Sequence, residues 1–467
     1  MRMLTAGDWA RQQFGSAELG DKRRTERAVK LAEAVASAAG ASLPALCGQW
    51  KDTKAAYRFL DKDEVTFQSL SQPHRRLTLS SARDCAVVLH ISDTTTLSFA
   101  YRAAQDLGPT GSGGSGRGML LHSTLAVDVS GGIDAVPEVL GLSAQQLWAR
   151  DTDSAPAVES SKWATAINEL GTPPQAVRWI HVGDCESDCW EAIEACRSNQ
   201  MGFALRACQD RQVIEGHAKV GQDLPAGQQT TLSKLLAEQP ALGNKQLWVR
   251  GRKDREARWA KLAVSATPIT LLAPKNWSDK EHRKGVPRPQ PIACWAVRVY
   301  ELNPPSGEDA IEWVILTDEP VTDLETALKV VFWYSCRWLI EEYHKCLKTG
   351  CRAEDRQLET ADRLGALLGI LSVTAVRLLQ LKHQARCNPQ RPAKEVVPRE
   401  YVQVLAAHRK MKSSNLSVRE FWRAVAQMGG FLARKSDGDP GWLTLWRGWQ
   451  KLDLLVEGAR LADTLRR

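Results

Sequence analysis

The sequence has no apolar run long enough to cross a bilayer. Its longest uncharged apolar stretch, residues 364–376, is 13 residues long, whereas a spanning helix needs about 20. A membrane role is disfavoured. The opening residues, MRMLTAGDWARQQFG, also lack the apolar segment of a signal peptide, which predicts a cytoplasmic location. Eleven Cys in 467 residues is an odd number without short regular spacing, which argues against a secreted disulfide framework. The nearest approach to a metal motif is Cys185-x-x-x-Cys189, and no CxxC pair recurs to complete four zinc ligands. Residues 108–118 are rich in glycine and read as a flexible loop with GxGxxG-like spacings. No P-loop Lys-Ser/Thr follows them, so nucleotide binding is disfavoured.

What is present is an ordinary globular composition, 43% hydrophobic and 25% charged, at a length that predicts two to four domains. The net charge of +8 permits a polyanionic partner. Its position says more than its sum. Between 245 and 288 stand twelve Lys or Arg against four acids, interleaved with Trp248, Trp259 and Trp277. That mixture suits phosphate contact with stacking, and equally a solvated, loop-rich surface. Residues 1–70 read as helical, with apolar positions at helical spacing and Arg23, Arg24 and Arg27 opening one helix. A compact basic helical module is one way to bind DNA.

From about 85 short apolar runs separated by turns predict a sheet in the order β-β-β-α-β-α, with Asp93 and Asp184 each closing a strand. Carboxylates at neighbouring strand ends can converge to bridge a metal, although a strand-end Asp is commonly a turn or cap residue. A β-rich insertion follows, to about 310. Residues 323–350 read as one long helix with Asp323 near its N-cap. On it Tyr334, Arg337, Glu341, Lys345 and Lys348 fall within an arc of roughly 80° at 100° per residue. Such a face is either a solvated one laced by i,i+4 ion pairs or a metal ligand set among phosphate-binding groups. Hard cations such as Mg²⁺ take oxygen ligands. Three acids suffice for two ions in an in-line displacement at phosphorus. Residues 364–381 are apolar almost all round, which fits a buried helix or a subunit interface.

Taken together, Ile91-Ser92-Asp93-Thr94-Thr95, Val182-Gly183-Asp184-Cys185-Glu186-Ser187-Asp188 and Tyr334-x-x-Arg337-x-x-x-Glu341-x-x-x-Lys345-x-x-Lys348 resemble the three acidic motifs of DDE transposases. The last resembles the Y-R-E-K signature of a bacterial insertion-sequence family of cut-and-paste enzymes. Further similarity lies in Gly20-Asp21-x-Arg23-Arg24, Ala56-Tyr57-Arg58-Phe59, Asn303-Pro304-Pro305-x-Gly307 and Gly429-Gly430-Phe431.

The resemblance implies an α/β fold: a helical DNA-binding domain over 1–70, a ribonuclease-H-like catalytic core over 71–354 with a β-rich insertion at about 207–310, and a helical dimerisation domain over 355–467. It implies that Asp93, Asp184 and Glu341 are catalytic ligands of two Mg²⁺ ions, with Mn²⁺ as a substitute. Tyr334, Arg337, Lys345 and Lys348 would grip phosphates, Trp313 would stack on a flipped base, and Trp338 would lie beside the distorted end. Arg206 matches a DNA-contacting arginine; the lysine expected two residues later is Cys208 here. The implied partners are transposon-end inverted-repeat DNA, target DNA and a second copy of the chain. The implied chemistry is a nick by water, attack of the freed 3′-hydroxyl to form a hairpin, opening by a second water, and joining to target DNA. Rival readings are a nuclease of the same core that never joins strands, and a DNA-binding regulator without catalysis.

Overall fold

The computed structural model describes residues 4–99, 106–111, 116–150, 155–218, 229–249, 256–273, 277, 285, 287–386, 389–412, 416–434 and 437–465. Its centre is a mixed sheet whose strands are β1 (Val87–Ser98), β2 (Gly108–Thr110), β3 (Gly116–Asp128), β4 (Glu138–Trp148), β5 (Arg178–Gly183), β6 (Gly202–Arg206), β7 (Gln212–Glu215), β8 (Gln229–Thr231), β9 (Gly243–Val249), β10 (Arg258–Leu271), β11 (Ile292–Glu301) and β12 (Glu312–Thr317). The spatial order β4-β3-β1-β5-β6 is antiparallel at the β3–β1 and β3–β4 seams and parallel at β1–β5 and β5–β6. The crossover from β4 to β5 passes through helix Ala155–Leu170, and that from β5 to β6 through helix Trp190–Ser198. Both pack with the strands into a core containing Trp163, Ile167, Trp179, Ile193 and Phe203.

The expected insertion does not form a separate sheet. β6 pairs antiparallel with β12, and β12 continues through β11, β10, β7 and β8, so the insertion's strands extend the central sheet edge to edge. The glycine-rich stretch also differs from a free loop: β2 pairs with Gly116–Gly118 of β3. Glycine is required there by close backbone approach, since a Cβ on Gly118 would lie 2.0 Å from the Leu97 carbonyl and one on Gly108 2.1 Å from that of Arg150.

Helices Ala6–Phe14, Lys22–Ser37, Leu43–Cys47 and Trp50–Leu60 form the N-terminal unit, and helix Phe67–Arg83 runs through residue 70 to pack on β4. The C-terminal helices include Ala361–Gln384, Arg399–Arg409, Val418–Met428 and Trp442–Leu465. Counted by length and mean hydropathy, with its few charged residues included, the whole helix Ala361–Gln384 could cross a membrane although its uncharged run could not, but its apolar window is wholly buried. It is the central core helix, packed against Phe67–Arg83, β4 and Trp442–Leu465. Two buried guanidiniums, Arg377 on this helix and Arg356 just before it, hold the N-terminal unit in place. Arg356 donates to the carbonyls of Ala39, Ala41 and Cys351, while Arg377 donates to Leu4 O at 2.9 Å and lies 5.2 Å over the Trp9 ring.

Candidate nucleic-acid processing site

Asp93 does not close its strand. β1 continues to Ser98, because the β-branched Thr94, Thr95 and Thr96 favour the pleat and pair with His122, Leu121 and Leu120 of β3. Asp184 does stand just past β5, where its carboxylate caps the turn Cys185–Ser187 by accepting the Glu186 N–H at 2.9 Å. The parallel register pairs Ile91 with Val182. Each acid lies two residues beyond that pair, which brings Asp93, midway along β1, beside Asp184 at the carboxyl end of β5, with the two strands about 5 Å apart in the hydrogen-bonding direction. Burial, and then the negative charge of Asp184, push the Asp93 carboxyl up to about 6.

The third acid arrives on a broken helix. The expected single helix is three pieces: Leu324–Ser335, capped by Asp323 in a reciprocal box with Thr326; Trp338–Lys345; and a wide π turn, Cys346–Gly350. The Cys336 N–H bonds back to both Phe332 and Trp333, and those of Leu339 and Ile340 bond three residues back. That tightened, 3₁₀-like turn re-aims the second piece. The second piece packs on β1, near enough for the Glu341 charge to act on Asp93, and sets His344 Nδ1 3.9 Å from Asp93 Oδ2. Glu341 is bonded not to the aspartates but to Arg337, at 2.6 Å. Among the described residues no three His, Cys, Asp or Glu groups form a ready metal cage.

The remaining residues divide. Tyr334 is buried, which raises its phenol against the opposing charges of Arg337, 6.0 Å from its ring centre, and Arg206. Trp313 on β12 is half-buried and meets Tyr334 edge-on at 6.0 Å. Trp338 is 52% exposed, with Lys345 Nζ 4.9 Å over its ring. Lys348, carried on the π turn, donates to Thr96 O at 2.6 Å and lies 3.6 Å from Glu354.

The N-terminal arginines are less available than their positions suggest. Arg24 donates to Leu19 O at 2.9 Å and pairs with Glu64 at 2.7 Å; Arg27 lies 3.7 Å from Asp52; only Arg23 is fully extended into solvent. The free basic face is instead on helix Trp50–Leu60, where Lys51, Lys54 and Arg58 are exposed beside Trp50, over which Lys54 lies at 5.2 Å. Their spacing of 3, 4 and 7 residues is a helical face readable in the sequence. In the insertion Trp248 and Trp259 are exposed and opposed across β9 and β10 with ring centres 5.2 Å apart, whereas Trp277 is buried. Arg250, Arg252, Lys253 and Arg255 lie outside the described residues.

Two family models match the chain, one described as transposase DNA-binding over residues 6–65 and one as the transposase Tn5 dimerisation domain over residues 373–466. These matches support a Tn5-like transposase with a DNA-binding unit at one end and a dimerisation unit at the other, acting on DNA as a homodimer.

Proposed function

We propose that this Tn5-like transposase cuts an insertion sequence from donor DNA through a hairpin intermediate and joins it to target DNA, with Asp93, Asp184 and Glu341 as the reacting centre. The observation that carries the reading is the convergence of Asp93 and Asp184 on adjacent parallel strands beneath the helix bearing Glu341. The strand order β4-β3-β1-β5-β6 supports a ribonuclease-H-like core, and the intervening β7–β11 supports the insertion. The domain limits proposed are 1–70, 71–354 and 355–467, with cytoplasmic action on the element's end DNA and on target DNA.

The donor set fits a hard divalent cation. Asp93 and Asp184 offer only oxygen, and their mutual repulsion in a poorly solvated setting is what a cation relieves. Asp93, Asp184 and Glu341 would hold Mg²⁺ or Mn²⁺, two ions per site, supplying activation of the attacking oxygen and charge stabilisation at phosphorus. Arg337, Tyr334 and Arg206 form a donor cluster facing the same end of the sheet. A DNA phosphate entering there competes with Glu341 for Arg337, freeing the Glu341 carboxylate to turn toward the aspartates. Trp313, against Tyr334, is placed to receive a base displaced from the duplex.

The test is a labelled end duplex incubated with the protein and Mg²⁺, then with a target plasmid. Nick, hairpin and strand-transfer products appearing in that order support the proposal. Cleavage without joining would make the protein a nuclease of the same core, and binding without cleavage a regulator.

A further inference from the structure

β9 and β10 form a two-stranded ribbon at the margin of the sheet. Among the described strands β9 pairs with β10 alone, and β10 pairs with β11 only from Leu262 inward, so residues 258–261 and those opposite them project past that ladder. One face of the ribbon is covered. Leu247 and Val249 pack with Ala260 and Leu262 on the main core, and Gly243 lies under helix Leu324–Ser335, where a Cβ would come 2.5 Å from Leu324 Cδ2. Arg258 fastens the ribbon by pairing with Glu301 and, at 3.0 Å, with Glu308. The other face is open. In register along it stand Trp248 opposite Trp259, then Gln246 opposite Lys261, then Asn244, all exposed and none acidic. The two rings meet obliquely, with centres 5.2 Å and planes 57° apart, and keep 47% and 64% of their surface in solvent. Rings that served only to pack the ribbon would not leave so much apolar face to water. The setting is cationic: Lys261 follows one pair inward, about 7 Å along the strand, and the chain joining the two strands, residues 250–257, has four Lys or Arg against two acids in its sequence.

We infer that Trp248 and Trp259 form a stacking platform for the unpaired bases of single-stranded DNA, with Lys261 taking a phosphate of the same strand. Every base has a face that an indole can cover, so the platform is indifferent to sequence. In a duplex those faces are already occupied by neighbouring bases, and the platform therefore selects single strands. It is a second station, separate from Trp313. Cross-strand partners point to the same side of a sheet, and the ladder Gly243–Val264–Val299–Trp313 places Trp313 on the covered side. Trp259 stands five residues from Val264 on β10, an odd step, and so faces the other way. That the strand is DNA rests on the function proposed above; the stacking of unpaired bases does not.

The test measures binding of full-length protein, by fluorescence anisotropy, to a labelled oligothymidylate, to an abasic strand of equal length and to a random duplex. The expected result is that Trp248→Ala and Trp259→Ala each weaken oligothymidylate binding by about 5–150-fold and leave the abasic strand and the duplex unaffected. Trp248→Phe and Trp259→Phe should recover most of the loss, since a smaller aromatic still stacks. Lys261→Ala should weaken both single strands alike. Unchanged oligothymidylate affinity in the two Ala variants would overturn the inference, as would an equal loss on the abasic strand. A shift from dimer to monomer in sedimentation, with binding to all three probes retained, would overturn it too and make the pair a contact between copies of the chain. If the protein cleaves no end DNA but binds single strands through these rings, the functional proposal fails and the platform stands; if it cleaves and joins ends while the Ala variants bind oligothymidylate normally, the reverse holds.

Discussion

Arg337 and Glu341 are bonded at 2.6 Å across one helical turn, with side chains 18% and 28% exposed. An i,i+4 pair of this kind contributes only about 0.2–0.5 kcal/mol, so it is easily exchanged for a phosphate. The expected outcome is that Asp93→Ala, Asp184→Ala and Glu341→Ala each lower end cleavage by about a thousandfold or more, from loss of several kcal/mol of charge stabilisation, while end-DNA binding in gel shifts is retained. A cleavage rate like that of the unmodified protein for any one variant removes that residue from the site.

Trp313 separates two steps. Base stacking on an aromatic is worth roughly 1–3 kcal/mol, and a hairpin requires sharper bending than a nick. Trp313→Ala should slow hairpin formation by about 5–150-fold and leave the first nick nearly unaffected. Equal slowing of both would assign Trp313 to packing against Tyr334.

The two basic faces of the N-terminal unit should respond differently. Replacing Lys51, Lys54 and Arg58 by Ala should flatten the salt dependence of DNA binding by about 0.9 per lost phosphate contact. Arg24→Ala should instead lower the thermal midpoint, because it removes the bonds to Leu19 O and Glu64. A salt slope that changes only in the Arg24 variant would reverse the assignment.

Stability should fall on acidification. Burial holds His74, His181 and His383 down to about 4 and His90 and His344 to about 3, and lowers His122 as well. Below about 6.5 the unfolded chain takes up protons that these imidazoles refuse, so their contribution is intact above 6.5 and lost as pH falls toward 4. Asp93 has the opposite sign: raised to about 6, it favours the fold at low pH, and that contribution disappears as pH rises from 3.8 through 6. Six groups outweigh one. Urea midpoints in a chelating buffer should drop steadily from pH 7 to 4.5, and Asp93→Asn should gain about 1–3 kcal/mol above pH 6. A flat profile over that range would show that the histidines are not held neutral.

Much of this architecture was legible because local chemistry and tertiary demand agree. The run before Asp184, the cap at Asp323 and the all-apolar 364–381 are each locally unambiguous, and each became the expected element. Sequence failed where the deciding interaction is nonlocal. β1 runs past Asp93 because β3 offers partners as far as Gly118. The helix at 323–350 breaks at Cys336 to seat its second half on β1, which no periodicity reveals. Arg24 and Arg27 looked free because Glu64 and Asp52, which occupy them, lie 40 and 25 residues further on. The joining of the insertion to the central sheet depends on the β6–β12 ladder, formed between segments about a hundred residues apart.

The carbonyl bonds made by Arg356 and Arg377 also impose an order on biosynthesis. The N-terminal unit leaves the ribosome first, yet the guanidiniums that donate to its carbonyls stand 315 to 373 residues later. Until those arginines have emerged, the carbonyls of Leu4, Ala39 and Ala41 have only water as donor, and Trp9 lacks its cation. The module therefore reaches its final seating late in translation, when the central sheet has already been made. A chain cut short before residue 356 carries the N-terminal helices without the groups that anchor them.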